Sequence, residues 1–579
     1  SFVHCLRIHS LEQVVSCATR DNNTLDLFLC KNLDTMPRVC VSNPLVKSDH
    51  ECLMFTMECQ IGNYVINKNA DNYHYNFKRA DYLAISNFLN SVNWFYEFSY
   101  CTSADDMYKV FLQIIDMAKH LYVPMQHSMC KGSKYKQSIL PKHIRCLVYK
   151  KRQCWYKMKR QCNAGSKRRY VEIRRKCSRA VKQHQLNIVR DLCNTNDKSK
   201  FFNFVNKKMG KHKMPIVLKD KGSGLILNNN ECVNRFAKYF HSVYVDDDGS
   251  LPDCNTNTNV GVFDDIIFDQ SLIWKYLSSL TCKYSCGPDG IPNVFLNKLS
   301  CVLSLPLSLI FQRSYNTGKL PQLWKEAVVV PVYKSGSRYD ECNYRPISLT
   351  SNVGKVMEGI ICDKIVQHCD NNNLLSNRQH GFMKNRSTVS NLLELMDDVT
   401  INLDKGNSLD VITIDFSKAF DTISHTKLLH KLISFGLVGN VHNWLSDFLH
   451  CRHFSVSVNS HKSDNFDVKS SVPQGTKCGP LMYNLFTTDV TKVLNYANIL
   501  LYADDISIYA VVNSDDDRLA FQEDLNRLYE WVQKWGLKIN FKKCHVMHFG
   551  YKNAKYAYYL GGADNVIDVS DCEKIWVYL

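Results

Sequence analysis

Three aspartates define the chemistry this sequence can do. Asp415 closes an apolar run, Val411-Ile412-Thr413-Ile414, and Asp504-Asp505 lie between two more, Ile499 to Tyr502 and Ile506 to Tyr509. Such β-rich runs predict strands, and an acid pair between two of them predicts a hairpin with the acids at its turn. Like charges in partly apolar surroundings raise each other's pKa. Carboxylates placed that way imply a cation. Two strand-borne acid sites side by side make a two-metal clamp, in which one Mg2+ activates a hydroxyl nucleophile and the other steadies a departing pyrophosphate. Hard oxygen ligands suit Mg2+, with Mn2+ as an alternative. The competing reading is an ordinary polar turn, since Asp is a common turn former; the surrounding motifs decide between the two.

Between the acid sites lies Ser471-Val472-Pro473-Gln474-Gly475-Thr476-Lys477-Cys478-Gly479-Pro480-Leu481. Gly475 and Gly479 permit tight backbone turns, and Pro480 suits the first turn of a following helix. Upstream, Asn343-Tyr344-Arg345-Pro346-Ile347-Ser348 offers an arginine able to grip a triphosphate through two parallel hydrogen bonds. Alone, it would be an ordinary surface arginine. A further charged region runs from 131 to 190, where Glu172 is the only acid. Its cations cluster as Lys150-Lys151-Arg152, Lys159-Arg160, Lys167-Arg168-Arg169 and Arg174-Arg175-Lys176, with Trp155, Tyr156 and Tyr170 interleaved. Such a stretch can neutralise phosphates and stack on bases. The alternative is a solvated basic helix that spaces two domains.

Elements must hold these residues. Residues 1–60 alternate apolar and polar: Thr24-Leu25-Asp26-Leu27-Phe28-Leu29 and Arg38-Val39-Cys40-Val41 read as strands. Over 75–125, Leu83, Phe88, Leu89 and Val92 recur at helical spacing. Asp246-Asp247-Asp248-Gly249, continuing to 259, reads as a turn-rich linker, and Asp515-Asp516-Asp517 as another. From 266 to 550 helical and strand segments mix, which predicts an α+β domain.

Composition bounds the possibilities. At 579 residues the chain is too long for one core and predicts roughly two to four domains. A formal charge of +17 favours a polyanionic partner. No apolar run reaches the roughly 18 residues a membrane span requires, and the first residues lack the zones of a signal peptide. The 25 cysteines are scattered, with Cys282 and Cys286 the only close pair, and read as thiols of a reducing compartment. An opening Ser1 in place of Met reads as a piece of a longer protein.

In their order, these blocks resemble the reverse transcriptase of non-LTR (LINE-type, jockey/CR1-like) retrotransposons. The resemblance covers 266–550. It runs through Gly287-Pro288-Asp289-Gly290-Ile291-Pro292, Asn343 to Ser348, Gly381-Phe382 to Arg386-Ser387-Thr388, Asp415 to Asp421, Pro473-Gln474-Gly475, Tyr502-Ala503-Asp504-Asp505, and Gly536-Leu537-Lys538-Ile539-Asn540 to Lys543. It implies a right-hand polymerase of fingers, palm and truncated thumb. Asp415 and Asp504 would hold both metals, assisted by Asp505, and the nucleophile would be a primer 3′-hydroxyl. Phe420 would be the steric gate that rejects a ribose 2′-hydroxyl. Gln474 and Gly475 would line the incoming nucleotide, Arg345 and Lys334 would bind its triphosphate, and Lys543 would be a proton donor to pyrophosphate. The implied partners are an RNA template, a DNA primer or target, and dNTPs.

The first residues resemble the end of an apurinic-type endonuclease, a partial α/β sandwich. By that resemblance Asp26 would orient His50 on the scissile phosphate, with Asp49 near a metal. An Asp fixing a His is sound chemistry, but the family's metal-binding Glu and Asn would lie before Ser1, so no nicking is expected. The layout expected is an endonuclease remnant (1–60), a helical linker (61–130), a basic helical segment (131–215), a linker (216–265), fingers and palm (266–550) and a truncated thumb (551–579). Two departures stand out: Lys477 and Cys478 replace apolar or small residues, and Glu573-Lys574-Ile575-Trp576-Val577 stands where the family shows Leu-Gly-Val before a full thumb. A decayed copy that binds nucleic acid without polymerising is the alternative. An RNA-dependent RNA polymerase is disfavoured by Phe420. The setting expected is intracellular, nucleus and cytoplasm, as a ribonucleoprotein.

Overall fold

The computed structural model describes residues 12–18, 24, 26–30, 38–42, 52–56, 73–127, 140–161, 163–194, 198–209, 215–220, 222, 224–253, 260–562 and 565–570. The chain divides into two units, one of Ser1–His74 with His127–Met214 and one of Tyr75–Gln126 with Pro215–Leu579.

In the first unit Arg38–Ser42 and Cys52–Thr56 pair antiparallel, as their alternation predicts. The strand predicted over 24–29 shrinks to Leu29–Cys30, paired with Glu12–Gln13. The basic stretch folds as two long helices, Lys142–Gln161 and Ala164–Asn194, packed on each other. Ile144, Trp155, Tyr170 and Cys177 are buried along them.

The second unit begins with α1 (Tyr82–Asn90), α2 (Ala104–Tyr122), α3 (Asn229–His241) and α4 (Ser300–Thr317), followed by β1 (Glu326–Tyr333) and β2 (Tyr344–Leu349). Next come α5 (Asn352–Asn371), α6 (Thr388–Asp404), β3 (Leu409–Asp415), α7 (His425–Ser434) and β4 (His453–Val458). The last are α8 (Cys478–Thr487), β5 (Asn498–Tyr502), β6 (Asp505–Val511), α9 (Asp515–Trp535) and β7 (His545–Phe549).

Two sheets result. One has the order β5-β6-β3-β7, these four antiparallel, with the short strand Asp568–Val569 added parallel to β7 so that β3 is central. Its apolar residues alternate between two cores, as a period of two requires. Val411, Leu500 and Tyr509 face α6 through Leu395 and Val399, while Ile412, Ile414, Leu501 and Ile508 join the main core. A sheet covered on both faces explains why its strands read as continuous apolar runs. In the other sheet β1 pairs parallel with β4 and antiparallel with β2.

Three stretches differ from expectation. The helices over 82–122 do not link; Ile85, Leu89, Phe111 and Ile115 enter the main core with Phe295 and Phe311. Tyr108 packs edge-on against Trp324 at 5.2 Å and donates a hydrogen bond to Asp289 at 2.9 Å. The linker expected over 216–265 contains α3, whose Val233, Phe236 and Phe240 pack beneath β1 and β4. Its acid run is tied down: Asp246 to Lys469, Asp247 to Ser424 and Asp248 to Lys427. Asp515-Asp516-Asp517 is the first turn of α9, where Ser514 and Asp517 form a capping box. Acids suit the positive end of a helix dipole. Amphipathic faces that read as autonomous helices are recruited because burial stabilises them more than propensity does.

Candidate active site

β3 delivers Asp415 as its last residue, and Asp505, the first of β6, is its partner across the ladder. Asp504 stands in the turn between β5 and β6, where Ala503 adopts a left-handed backbone (φ 57°). Such strain persists only where neighbours over-determine it. The brace is the stretch 378–381. Leu501 N–H donates to the Arg378 carbonyl (3.0 Å), and His380 N–H donates to the Leu501 carbonyl (2.8 Å). Gln379 Oε1 accepts the N–H groups of Ala503 (3.0 Å) and Gly381 (2.7 Å). A Cβ on Gly381 would stand 2.3 Å from the Ala503 nitrogen, so glycine is required there.

The acids are unequally compensated. Asp415 Oδ2 accepts Lys543 Nζ at 2.8 Å and Asn540 Nδ2 at 3.2 Å. Backbone bonds lay that segment along the end of β3: Ser417 N–H to the Lys538 carbonyl and Asn540 N–H to the Asp415 carbonyl. Asp504 and Asp505 have no ammonium or guanidinium within 4.0 Å among the described residues. Burial, then the charge of Asp415, raises the Asp504 carboxyl, with Arg345 and Lys334 opposing. Burial, then Asp504 and Asp415, pushes Asp505 up to about 6, although its side chain still reaches solvent.

A divalent cation would relieve that repulsion, and all-oxygen donors match Mg2+ or Mn2+. Among the described residues no three donors are gathered tightly enough to hold a metal ion unaided. Lys543 occupies one oxygen of Asp415 meanwhile. The donor chemistry therefore fits the cation, although the carboxylates are not yet converged into a ready site.

A cleft of about 660 Å³ opens over the acids. It is lined by Asp415, Asp504, Lys543, Lys334, Arg345, Phe420, Gln474 and Gly475. Of the residues predicted for nucleotide chemistry, only Asp505 lies outside its lining. Lys334 and Arg345 have no carboxylate within 4.0 Å among the described residues, so both are open to an anion. Burial, then Arg345 and Lys543, lowers the Lys334 ammonium pKa.

Gly475 takes φ +108°, and a Cβ there would lie 2.5 Å from the Ser348 carbonyl oxygen. The Gln474 carbonyl accepts Ser348 N–H at 3.0 Å. The loop is thus stitched to β2, the strand that carries Arg345. Phe420 stacks on Tyr483 of α8, centroids 4.3 Å apart and 19° between planes, and meets Phe382 edge-on at 6.1 Å.

Sequence reading missed several lining residues. Asp421, pushed up to about 6 by burial, accepts a hydrogen bond from Gln474 Nε2 at 3.1 Å; it and the exposed Phe382 lay inside quoted motifs. Tyr239 of α3, on which Lys418 Nζ sits at 4.6 Å, gave no local signal. Neither did Tyr483.

Elsewhere the residues are not gathered into a site. Lys150, Arg152, Lys167, Arg168, Arg169 and Arg175 are exposed and Arg174 half-buried, but Lys151 is 7 % exposed and lies near the buried Cys177. Trp155 and Tyr170 are buried too, which leaves Tyr156, with the nearby Tyr149, as rings open to solvent. Lys151, Trp155 and Tyr170 therefore pack the helices and are withdrawn as nucleic-acid contacts. Asp26 lies in irregular backbone before Leu29–Cys30, whereas Asp49 and His50 fall outside the described residues.

A strand-end carboxylate beside a hairpin acid pair, facing open cations across a cleft, is a site built for metal-assisted phosphoryl transfer. Residues 333–563 match the reverse transcriptase (RNA-dependent DNA polymerase) family, and much of that region is similar to RNA-directed DNA polymerases of mobile elements. The probable RNA-directed DNA polymerase from transposon BS of Drosophila melanogaster is 30% identical over 280 residues, 47% of this chain and 31% of that protein. The RNA-directed DNA polymerase from mobile element jockey of Drosophila melanogaster is 29% identical over 286 residues, with the same 47% and 31% coverage. The match thus spans 31% of the length of each of these relatives. An apo telomerase from Candida tropicalis, truncated from its C-terminal domain, overlays at a TM-score of only 0.31 and 14% identity, covering 44% of this chain and 57% of that one.

Proposed function

We propose that this chain extends a DNA primer with dNTPs on an RNA template. The observation that carries the reading is the placement of Asp415, Asp504 and Asp505 at the end of one hairpin and its neighbouring strand, at a cleft whose lining also offers Lys334 and Arg345. The sheet bearing the acids would be the palm, and β1, β2 and β4 the fingers. Asp415 and Asp504 would hold two Mg2+ ions, Asp505 assisting; those ions would supply an activated primer hydroxyl and charge neutralisation at the pyrophosphate. Arg345 and Lys334 orient the triphosphate by charge-assisted hydrogen bonds. Phe420, backed by the buried Tyr483, presents a wall to C2′ of the sugar, so a 2′-hydroxyl collides. Lys543, already on Asp415, stands where it can hand a proton to the leaving group.

The exposed cations of the 142–194 helices support an RNA contact by phosphate neutralisation, which is sequence-independent. An endonuclease remnant over 1–60 rests on sequence motifs alone. The charge and the thiol count support an intracellular ribonucleoprotein setting, in nucleus and cytoplasm.

Primer extension on an RNA template with dNTPs and Mg2+, beside an Asp504→Ala control, tests the proposal. Extension by the parent alone is expected. A folded parent that binds RNA and extends nothing would favour a decayed copy.

A further inference from the structure

The first residue of α8 carries a thiol that polymerisation does not use. Cys478 is buried, and its Sγ lies 3.1 Å from the Sγ of Cys362 on α5. Cys362 is only half-buried, so a small oxidant reaches it first. Glu358, one turn earlier on α5, joins the two helices: its buried carboxylate accepts the backbone N–H of Lys477 at 2.6 Å and of Cys478 at 3.4 Å. The buried Arg452 and the half-buried Lys355 supply the countercharge. Three residues before Cys478 is Gly475, wedged against the Ser348 carbonyl in the wall of the cleft. A movement of the start of α8 is therefore passed to that wall.

We propose that Cys362 and Cys478 are an oxidation site, a dithiol that closes to a disulfide under hydroperoxide and thereby retunes nucleotide binding; the second half rests on the polymerase reading above. The Cys362 thiolate attacks the peroxide O–O bond, which gives a sulfenic acid and, with one proton, water. The Cys478 sulfur then attacks the Cys362 sulfur. The S–S bond forms, the S–O bond breaks, and hydroxide leaves with the Cys478 proton as a second water. Two thiols are oxidised and one peroxide is reduced to two waters. The sulfurs need approach by only about 1 Å to reach bonding distance. That approach draws the start of α8 towards α5 and pulls on the Gln474–Gly475 loop. Proximity also favours closure over further oxidation of Cys362, because the resolving thiol already lies against it.

The test uses the whole chain, exposed to graded hydrogen peroxide, blocked with N-ethylmaleimide and mapped as non-reduced peptides by mass spectrometry. Primer extension is followed in parallel before and after dithiothreitol. One linkage between the peptides of Cys362 and Cys478 is expected, reversible by dithiothreitol, with a several-fold rise in KM for dNTP while it is closed. Cys362→Ser should keep basal extension, form no linkage and lose the peroxide response. If exposed thiols such as Cys282 and Cys301 oxidise while no 362–478 linkage forms, the site is refuted. Linkage with an unchanged KM overturns the coupling to the cleft. An untreated chain that extends nothing overturns the polymerase reading alone, and the peptide map still decides the site.

Discussion

The cleft and the basic helices both concentrate charge, but they hold it in opposite ways. In the cleft the acids sit on strand ends whose register is set by a two-sided core, and desolvation holds Asp504 and Asp505 above the usual carboxylate range. Along 142–194 most cations stand in solvent, while Trp155 and Tyr170 are buried between the helices and Tyr156 stays exposed beside Arg152. Charges fixed in low dielectric act through position, each one strongly. Charges screened by water act through number. On the function proposed above, one region would do chemistry on a phosphate and the other would gather phosphates.

That contrast can be broken by substitution. Asp415→Ala or Asp504→Ala should lower primer extension by roughly a thousandfold or more, the scale of several kcal/mol of missing charge stabilisation. Extension that survives either change would remove the palm assignment. Phe420→Ala should cost on the order of a hundredfold in discrimination between dNTP and rNTP, read as a ratio of kcat/KM values. Gly475→Ala drives a Cβ onto the Ser348 carbonyl in a left-handed backbone, strain on the order of 1–3 kcal/mol. A drop of about tenfold in kcat/KM for dNTP is expected, with RNA affinity unaltered.

The basic helices should respond differently. Neutralising Lys150, Arg152, Lys167 and Arg168 together should flatten the salt dependence of RNA binding, by up to roughly 0.7 in slope for each phosphate that no longer meets a cation. Each alone should scarcely register. Lys151→Met should leave that slope unchanged, since its side chain is buried; a slope that follows Lys151 as it follows Arg152 would undo the assignment of faces.

The smallest effect concerns stability. Asp421 is raised to about 6 by burial, so between about pH 4 and 6 the folded chain keeps a proton that the unfolded chain has released. Its contribution is present below the unfolded pKa and is lost as pH rises through the folded one. Asp421→Asn should remove that slope, worth on the order of 1–3 kcal/mol, from denaturation midpoints measured across the window. An unchanged slope would mean that Asp421 is charged in the fold.

Local pattern made much of this legible. Strands ending in acids, the acid hairpin, the α+β mixture over 266–550 and Pro480 in the first turn of α8 all follow from periodicity and turn chemistry. Resemblance grouped Lys334, Arg345, Phe420, Gln474 and Gly475 around one nucleotide, and all five line one cleft. Other features carried no signal. Tyr239 and Tyr483 look like any core aromatics, and only packing turns one towards Lys418 and sets the other beneath Phe420. Asp246 to Asp248 read as a loop because their partners Ser424, Lys427 and Lys469 lie far along the chain.

The sequence by itself determined the strands that carry the acids, the helical character of 82–122 and of the basic stretch, and that the charge suits a polyanion. Tertiary structure alone decided that 82–122 and 229–241 are core, that Lys151, Trp155 and Tyr170 face inward, and that Cys362 meets Cys478. The reason is range. Backbone periodicity and capping are settled within a few residues, whereas burial is settled by whatever surface arrives from elsewhere in the chain, and no local pattern names that partner.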